Sequence, residues 1–246
     1  MSLSTPLGAA VVLVAMLELC RVAAGGDQTP HQLFLPYATA TPSYVTDRVL
    51  IVGGAGGPND QALSSAEVYD VKPGKFTLTG KLLEAQFDNT ATTLLDGEVL
   101  LAGGAQANAV SLAELYNPTT RKFTQTGNLG LGRSSPTATL LRDGRVLVTG
   151  GGGQLSSAEV YDPATGKFTF TYPMTSPRVE HAATLLEDGT VLITGGVNGE
   201  TYTNSAELYE PDGNGFKRVA DMHDARYAHT STLLSNGMVL VTGGLG

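Results

Sequence analysis

An all-β architecture of repeated four-stranded antiparallel units is predicted by three markers that return in phase along the chain. The first is Ala-Glu-(Val/Leu)-Tyr followed by Asp, Asn or Glu, found at Ala66–Asp70, Ala113–Asn117, Ala158–Asp162 and Ala206–Glu210. Its glutamates, Glu67, Glu114, Glu159 and Glu207, stand 47, 45 and 48 positions apart. The second is an aromatic string: GKFT from Gly74, RKFT from Arg121, GKFT from Gly166 and GFKR from Gly215. The third is an apolar run closed by a glycine pair, RVLIVGG (Arg48–Gly54), EVLLAGG (Glu98–Gly104), RVLVTGG (Arg145–Gly151), TVLITGG (Thr190–Gly196) and MVLVTGG (Met238–Gly244). Chance does not keep three markers in register over a whole chain.

Within a unit each strand has its own signal. A Thr- and Leu-rich stretch such as HAATLL (His181–Leu186) comes first. Asp188-Gly189 then joins it to VLIT, and the same turn returns at Asp96-Gly97, Asp143-Gly144 and Asn236-Gly237. Asp-Gly or Asn-Gly between apolar runs is a hairpin signal, because these residues tolerate positive φ. The second strand is continuously apolar, as a strand covered on both faces should be. A variable loop follows the glycine pair, then the alternating strand SAELY, then a Pro/Gly turn and an outer strand holding the aromatic. Such a unit has two apolar faces and cannot bury them alone. Units of four short strands, each sealing the next, stack around an axis as the blades of a β-propeller. Four clear blades plus a partial fifth are expected over 48–246.

The glycine pair, the Tyr, the later aromatic and the returning arginines Arg133, Arg178 and Arg226 resemble the Kelch motif. The resemblance covers essentially everything from Arg48 to Gly244. It departs where the family usually has Trp, since Phe76, Phe123, Phe168 and Phe216 stand there. That departure implies a smaller packing ring between blades. The resemblance implies a propeller and says little about activity, because one fold hosts many functions.

The chain has 246 residues, a net charge of −8, 31 glycines, one cysteine and no tryptophan. That length supports a real core, and glycine without a triplet period means many turns. An acidic chain with no basic run argues against a nucleic-acid partner. The glycine pairs lead into strand-like sequence and not a helix, so they are not nucleotide-binding fingerprints. From Leu7 to Leu19 the sequence is apolar except for Glu18, and small residues precede Gly25. Residues 1–24 are therefore expected to be a signal peptide or a membrane anchor, although no Lys or Arg precedes the run. Cys20 lies inside this segment, so the mature protein would be secreted or periplasmic with no disulfide or thiolate site. Residues 25–47 are expected to be a linker or a closing strand, the latter somewhere in Leu35–Val45. An alternative expectation is a fragment of a longer propeller, whose exposed faces would associate with another propeller fragment.

The repeated glutamates recur once per blade, whereas a catalytic residue is needed once, so Glu67, Glu114, Glu159 and Glu207 read as structural. Arg133, Arg178 and Arg226 enter each blade's first strand. Each is expected to bond a third-strand glutamate of its own or a neighbouring blade. The second blade has Gln86 in that position, which leaves Glu67 or Glu114 without an arginine. His181 and His229 occupy equivalent positions and are expected to be core or rim histidines satisfied by backbone, in preference to a metal pair. A copper radical oxidase is excluded for want of a cysteine outside the N-terminal segment, and aspartate boxes of sialidase type need a Trp that is absent. No catalytic residue, metal or cofactor is expected from motifs, and the chain reads as no enzyme. The variable loops and blade connections open on one face, and rigid blades presenting variable loops are a binding layout. Asn59, Asp60, Asn198, Glu200, Tyr202 and Tyr227 are the candidate contacts there. The expected function is a secreted scaffold binding a protein or glycan through that face. The alternative is a carbohydrate-active propeller enzyme such as a sugar mutarotase.

Overall fold

The computed structural model describes residues 48–56, 60–213 and 215–246. The expectations for residues 1–24 and 25–47, with Cys20 and Asn59, lie outside them. Among the described residues every regular element is a strand, and no helix is long and apolar enough to cross a membrane.

The first blade orders β1 (Arg48–Val52), β4 (Ala66–Asp70) and β5 (Lys75–Leu78), with a small ribbon, β2 (Ala55–Gly56) and β3 (Gln61–Ala62), in the loop between β1 and β4. The second holds β6 (Thr90–Thr93), β7 (Val99–Ala102), β8 (Ala113–Asn117) and β9 (Lys122–Gln125). The third holds β10 (Thr137–Leu140), β11 (Val146–Thr149), β12 (Ala158–Asp162) and β13 (Lys167–Phe170). The fourth holds β14 (Ala182–Leu185), β15 (Val191–Thr194), β18 (Ala206–Glu210) and β19 (Gly215–Arg218), and its loop carries the ribbon β16 (Val197–Asn198) and β17 (Thr201–Tyr202). The hairpin of β20 (Thr230–Leu233) and β21 (Val239–Thr242) begins a fifth. Every pairing is antiparallel, and the first strands β6, β10, β14 and β20 lie side by side along the axis.

The core is a set of layers between blades, as the two-faced units require. Leu50 and Val68 of the first blade meet Val99, Leu101 and Tyr116 of the second. Leu100 and Ala102 of the second meet Val146, Val148 and Tyr161 of the third. Leu147 and Val160 of the third meet Val191, Ile193 and Tyr209 of the fourth. Burying each such side chain contributes about 1.5–3 kcal/mol. The aromatic marker serves the same layers. Phe123 is buried in the first, while Phe168 and Phe216 pack on the second and third. Each also tilts against the Tyr of its own blade, Tyr116–Phe123, Tyr161–Phe168 and Tyr209–Phe216, with centroids 4.8–4.9 Å apart. Tyrosine hydroxyls hook the preceding blade: Tyr116 to Thr79 at 2.7 Å and Tyr161 to Thr126 at 2.8 Å.

Candidate functional site

The blade joints are fixed by the returning arginines. Arg133 donates to Glu159 at 2.9 Å and to the carbonyls of Gly150 and Ser157 at 2.7 and 2.9 Å. Arg178 repeats this with Glu207 at 2.6 Å and with Gly195 and Ser205 at 2.8 and 3.0 Å. Both guanidinium groups are wholly buried, and each pairs with the glutamate of its own blade. The second carboxylate oxygen accepts a backbone N–H three residues before the arginine, from Gly130 and Thr175. The arginine carbonyl reaches the preceding blade, accepting from Gly104 and Gly151. A β-carbon on Gly150, whose φ is 60°, would collide with the Arg178 carbonyl and lie 2.7 Å from the His181 ring. That approach requires glycine there. In the second blade Gln86 leaves Oε1 of buried Glu114 without a partner, and burial raises that carboxyl's pKa.

The first strands converge on a cavity of about 400 Å³ at the loop end of the axis. Its wall comprises Thr90, Ser135, Thr137, Glu180, His181, His229 and Thr230 with small apolar neighbours. Asp88, Ser135, Glu180 and Ala228 occupy one repeat position, just before each first strand, and all have positive φ, 47–56°. Non-glycine residues with that backbone are strained and persist where the surroundings enforce them. Here the Ser135 and Ala228 N–H groups donate to the carbonyls of Asp88 and Glu180 in the neighbouring blade. Half-buried Glu180 thus presents a carboxyl in the cavity wall. Burial first, and then the charge of Asp88, raise its pKa above the usual carboxylate value. The wall offers hydroxyl, carboxyl and imidazole groups in one concavity, a setting for binding a polyhydroxylated molecule and moving a proton.

His181 and His229 flank this cavity. Nε2 of His181 bonds the hydroxyls of Thr137 and Thr149 at 3.0 and 2.9 Å, and that of His229 bonds Thr194 at 2.9 Å. Threonine side chains, not backbone, therefore hold Nε2, while Nδ1 of each ring is buried without a hydrogen-bond partner. Burial holds His181 neutral, with a pKa near 3, and Arg178 adds to the effect. Among the described residues no three His, Cys, Asp or Glu side chains converge as a metal shell.

The variable loops and the blade connections do lie together, through bridges Phe87–Ala105, Val179–Val197 and Tyr227–Leu245. Asp60 is exposed at a positive-φ turn, Asn198 is half-buried on β16, and Glu200 is exposed at the ribbon tip. Tyr202 and Tyr227 meet as a stacked pair with centroids 4.8 Å apart. Reading the sequence singled out neither Asp88, Ser135 nor Glu180. The segment that holds them varies on both sides of this position, Phe87–Asn89, Ser134–Pro136, Val179–His181 and Tyr227–His229, so no repeated signal marks it.

No protein-family model matches the chain, and no curated protein matches it. Among solved structures it resembles YjhT, with a TM-score of 0.67 at 13% identity, over 82% of this chain and 75% of that one. At that identity the likeness is one of fold, and it makes this chain a β-propeller type. It also corrects the expectation that the chain is no enzyme. A propeller fold hosts enzymes and binding proteins alike, so the want of a catalytic motif here does not exclude chemistry.

Proposed function

We propose that the axial cavity is a carbohydrate site and that the protein is a carbohydrate-active propeller, of the sugar-mutarotase kind, within the Kelch class. The observation that carries this is Glu180, a carboxyl of raised pKa held by strained backbone in the wall of a 400 Å³ cavity. Cavities of that size suit small ligands. Interconversion of anomers needs only proton transfer. The anomeric hydroxyl loses its proton to a base, the ring oxygen gains one from an acid, and the ring carbon–oxygen bond breaks to an open-chain carbonyl. Closure on the other face returns both protons. Glu180 serves as the acid, since a raised pKa keeps a proton on it nearer neutrality, and Asp88, whose charge acts on Glu180 from beside the cavity lining, is the candidate second carboxyl. Thr90, Thr137 and Thr230 offer hydroxyls to the sugar.

The test is two-dimensional exchange NMR on a panel of reducing sugars. The expected result is accelerated anomer exchange for one sugar class, falling about 10²-fold or more in Glu180→Gln with the far-ultraviolet spectrum unchanged. No acceleration for any sugar overturns the reading.

The Tyr202–Tyr227 stack favours a second reading, recognition of a glycan or protein by the loop face. The exposed ring of Tyr202, backed by half-buried Tyr227, presents a flat apolar surface with a polar tip. Retention on a glycan array without turnover, lost in Tyr202→Ala, would select it. Export from the cytoplasm belongs to either reading, supported by the apolar run Leu7–Leu19 and by the lack of any cysteine after Cys20.

A further inference from the structure

We propose that the axial cavity and the Tyr202–Tyr227 stack are two subsites of one site, and that it takes an oligosaccharide, with the reducing-end sugar in the cavity and the next sugar on Tyr202. This rests on the carbohydrate reading of the cavity and adds the length of the substrate. Two separate routes through the backbone tie the stack to Glu180. On one side the Glu180 carbonyl accepts the Ala228 N–H at 3.0 Å, and Ala228 lines the cavity. Tyr227 comes just before Ala228, and its ring centroid is 4.8 Å from that of Tyr202. On the other side Val179, next to Glu180, bridges Val197, and Val197 pairs with Tyr202 across the ribbon of β16 and β17. Two strand spacings, about 10 Å, therefore separate Tyr202 from Val179, a distance that adjoining sugars of one chain can span.

The stack has the chemistry of a sugar platform. Tyr202 is 45% exposed, and Tyr227 lies nearly parallel to it, at 20° between ring planes. The backing ring holds Tyr202 in one orientation, so binding on its other face freezes little further side-chain motion. A pyranose has a face of ring C–H groups edged by hydroxyls. A tyrosine meets the first with its flat apolar ring and the second with its phenol group. Asn198 and Glu200 stand on the same ribbon and add groups that bond hydroxyls.

The repeat shows that the blade does not need this aromatic. The loops Ala55–Ser64, Ala105–Ser111 and Gly152–Ser156 occupy the same place in the other blades and hold no aromatic residue. Side chains that build the blade recur once per blade, and Tyr202 does not. Glu180 is likewise the one carboxyl among the described residues of the cavity wall. Both departures from the repeat fall in the fourth blade, where the two routes join them.

The experiment measures anomer exchange by NMR on the full chain with matched probes, glucose against cellobiose and maltose, and N-acetylglucosamine against chitobiose. The expected result is a kcat/KM about tenfold higher for one disaccharide than for its own monosaccharide, with the gain in KM. That preference should disappear in Tyr202→Ala, whereas Tyr202→Phe keeps the ring and should retain most of it. Equal kcat/KM for disaccharide and monosaccharide, or a preference that Tyr202→Ala leaves intact, would overturn this inference and leave the cavity reading standing. Exchange accelerated for none of the probes would overturn both.

Discussion

Arg133 and Arg178 show how a single residue type can define a blade joint, and Gln86 shows what its absence leaves. Glu114 is wholly buried, accepts the Leu83 N–H at 3.0 Å, and keeps its other oxygen without a partner. An unsatisfied buried acceptor costs about 1–3 kcal/mol. The serine of the other joints is also replaced in this blade, by Leu112. Installing Gln86→Arg together with Leu112→Ser should rebuild the arrangement seen around Arg133, with Glu114 ionised and paired. We expect chemical denaturation to show a gain of about 1–2 kcal/mol. That gain should vanish when Glu114→Gln is added, because the neutral amide cannot complete the ion pair. No gain in the double variant would mean that the second joint is already satisfied in another way. The arginine–glutamate relation was legible in the sequence, because both residues recur at fixed spacing. Glu180 was not legible, since its meaning lies in a cavity made by four first strands that no single repeat encodes.

At the scale of the element, the first strands are fixed by buried polar contacts as well as by apolar packing. The Thr137, Thr149 and His181 cluster joins β10, β11 and the entry to β14 in one bonded group. An unfolded histidine takes a proton near its ordinary value of about 6.5, whereas His181 in the fold does so only near 3. The native state therefore binds fewer protons across that window. Stability from this group is complete above about 6.5 and declines as pH falls toward 3, with no further change below. His229, held near 4 by burial and Arg226, adds a second contribution of the same sign. The expected loss for His181 is on the order of 3 kcal/mol by pH 4. Asn89 fills the equivalent position in the second blade, so His181→Asn should fold. Denaturation curves of the two proteins at pH 7 and pH 4 check the sign, since the variant should lose less on acidification. The strands themselves were readable from alternation, continuous apolar runs and Asp-Gly turns. The ribbons β2–β3 and β16–β17 were not, because two-residue pairings inside loops leave no periodic trace.

Taken whole, the molecule is a row of blades in which burial comes from the neighbour and not from the strand's own sequence. β11 and β21 make this plain, for both read Val-Leu-Val-Thr. In β11 all four residues are buried and Leu147 is 1% exposed, because blades stand on either side. In β21 burial alternates and Leu240 is 49% exposed. Local sequence cannot distinguish them, and this is why the repeat predicted the blade but not the energy stored in each. In a quasi-one-dimensional array stability is a sum of unit and interface contributions. Truncating a buried leucine removes its transfer energy and opens a cavity, at a cost of about 2–5 kcal/mol. A half-exposed one has less to lose. Leu147→Ala should therefore destabilise by about 2–5 kcal/mol, while Leu240→Ala should cost under about 1 kcal/mol. Urea titration of both variants measures the difference directly. Equal costs would mean that β21 is covered as β11 is, by a surface beyond the described residues.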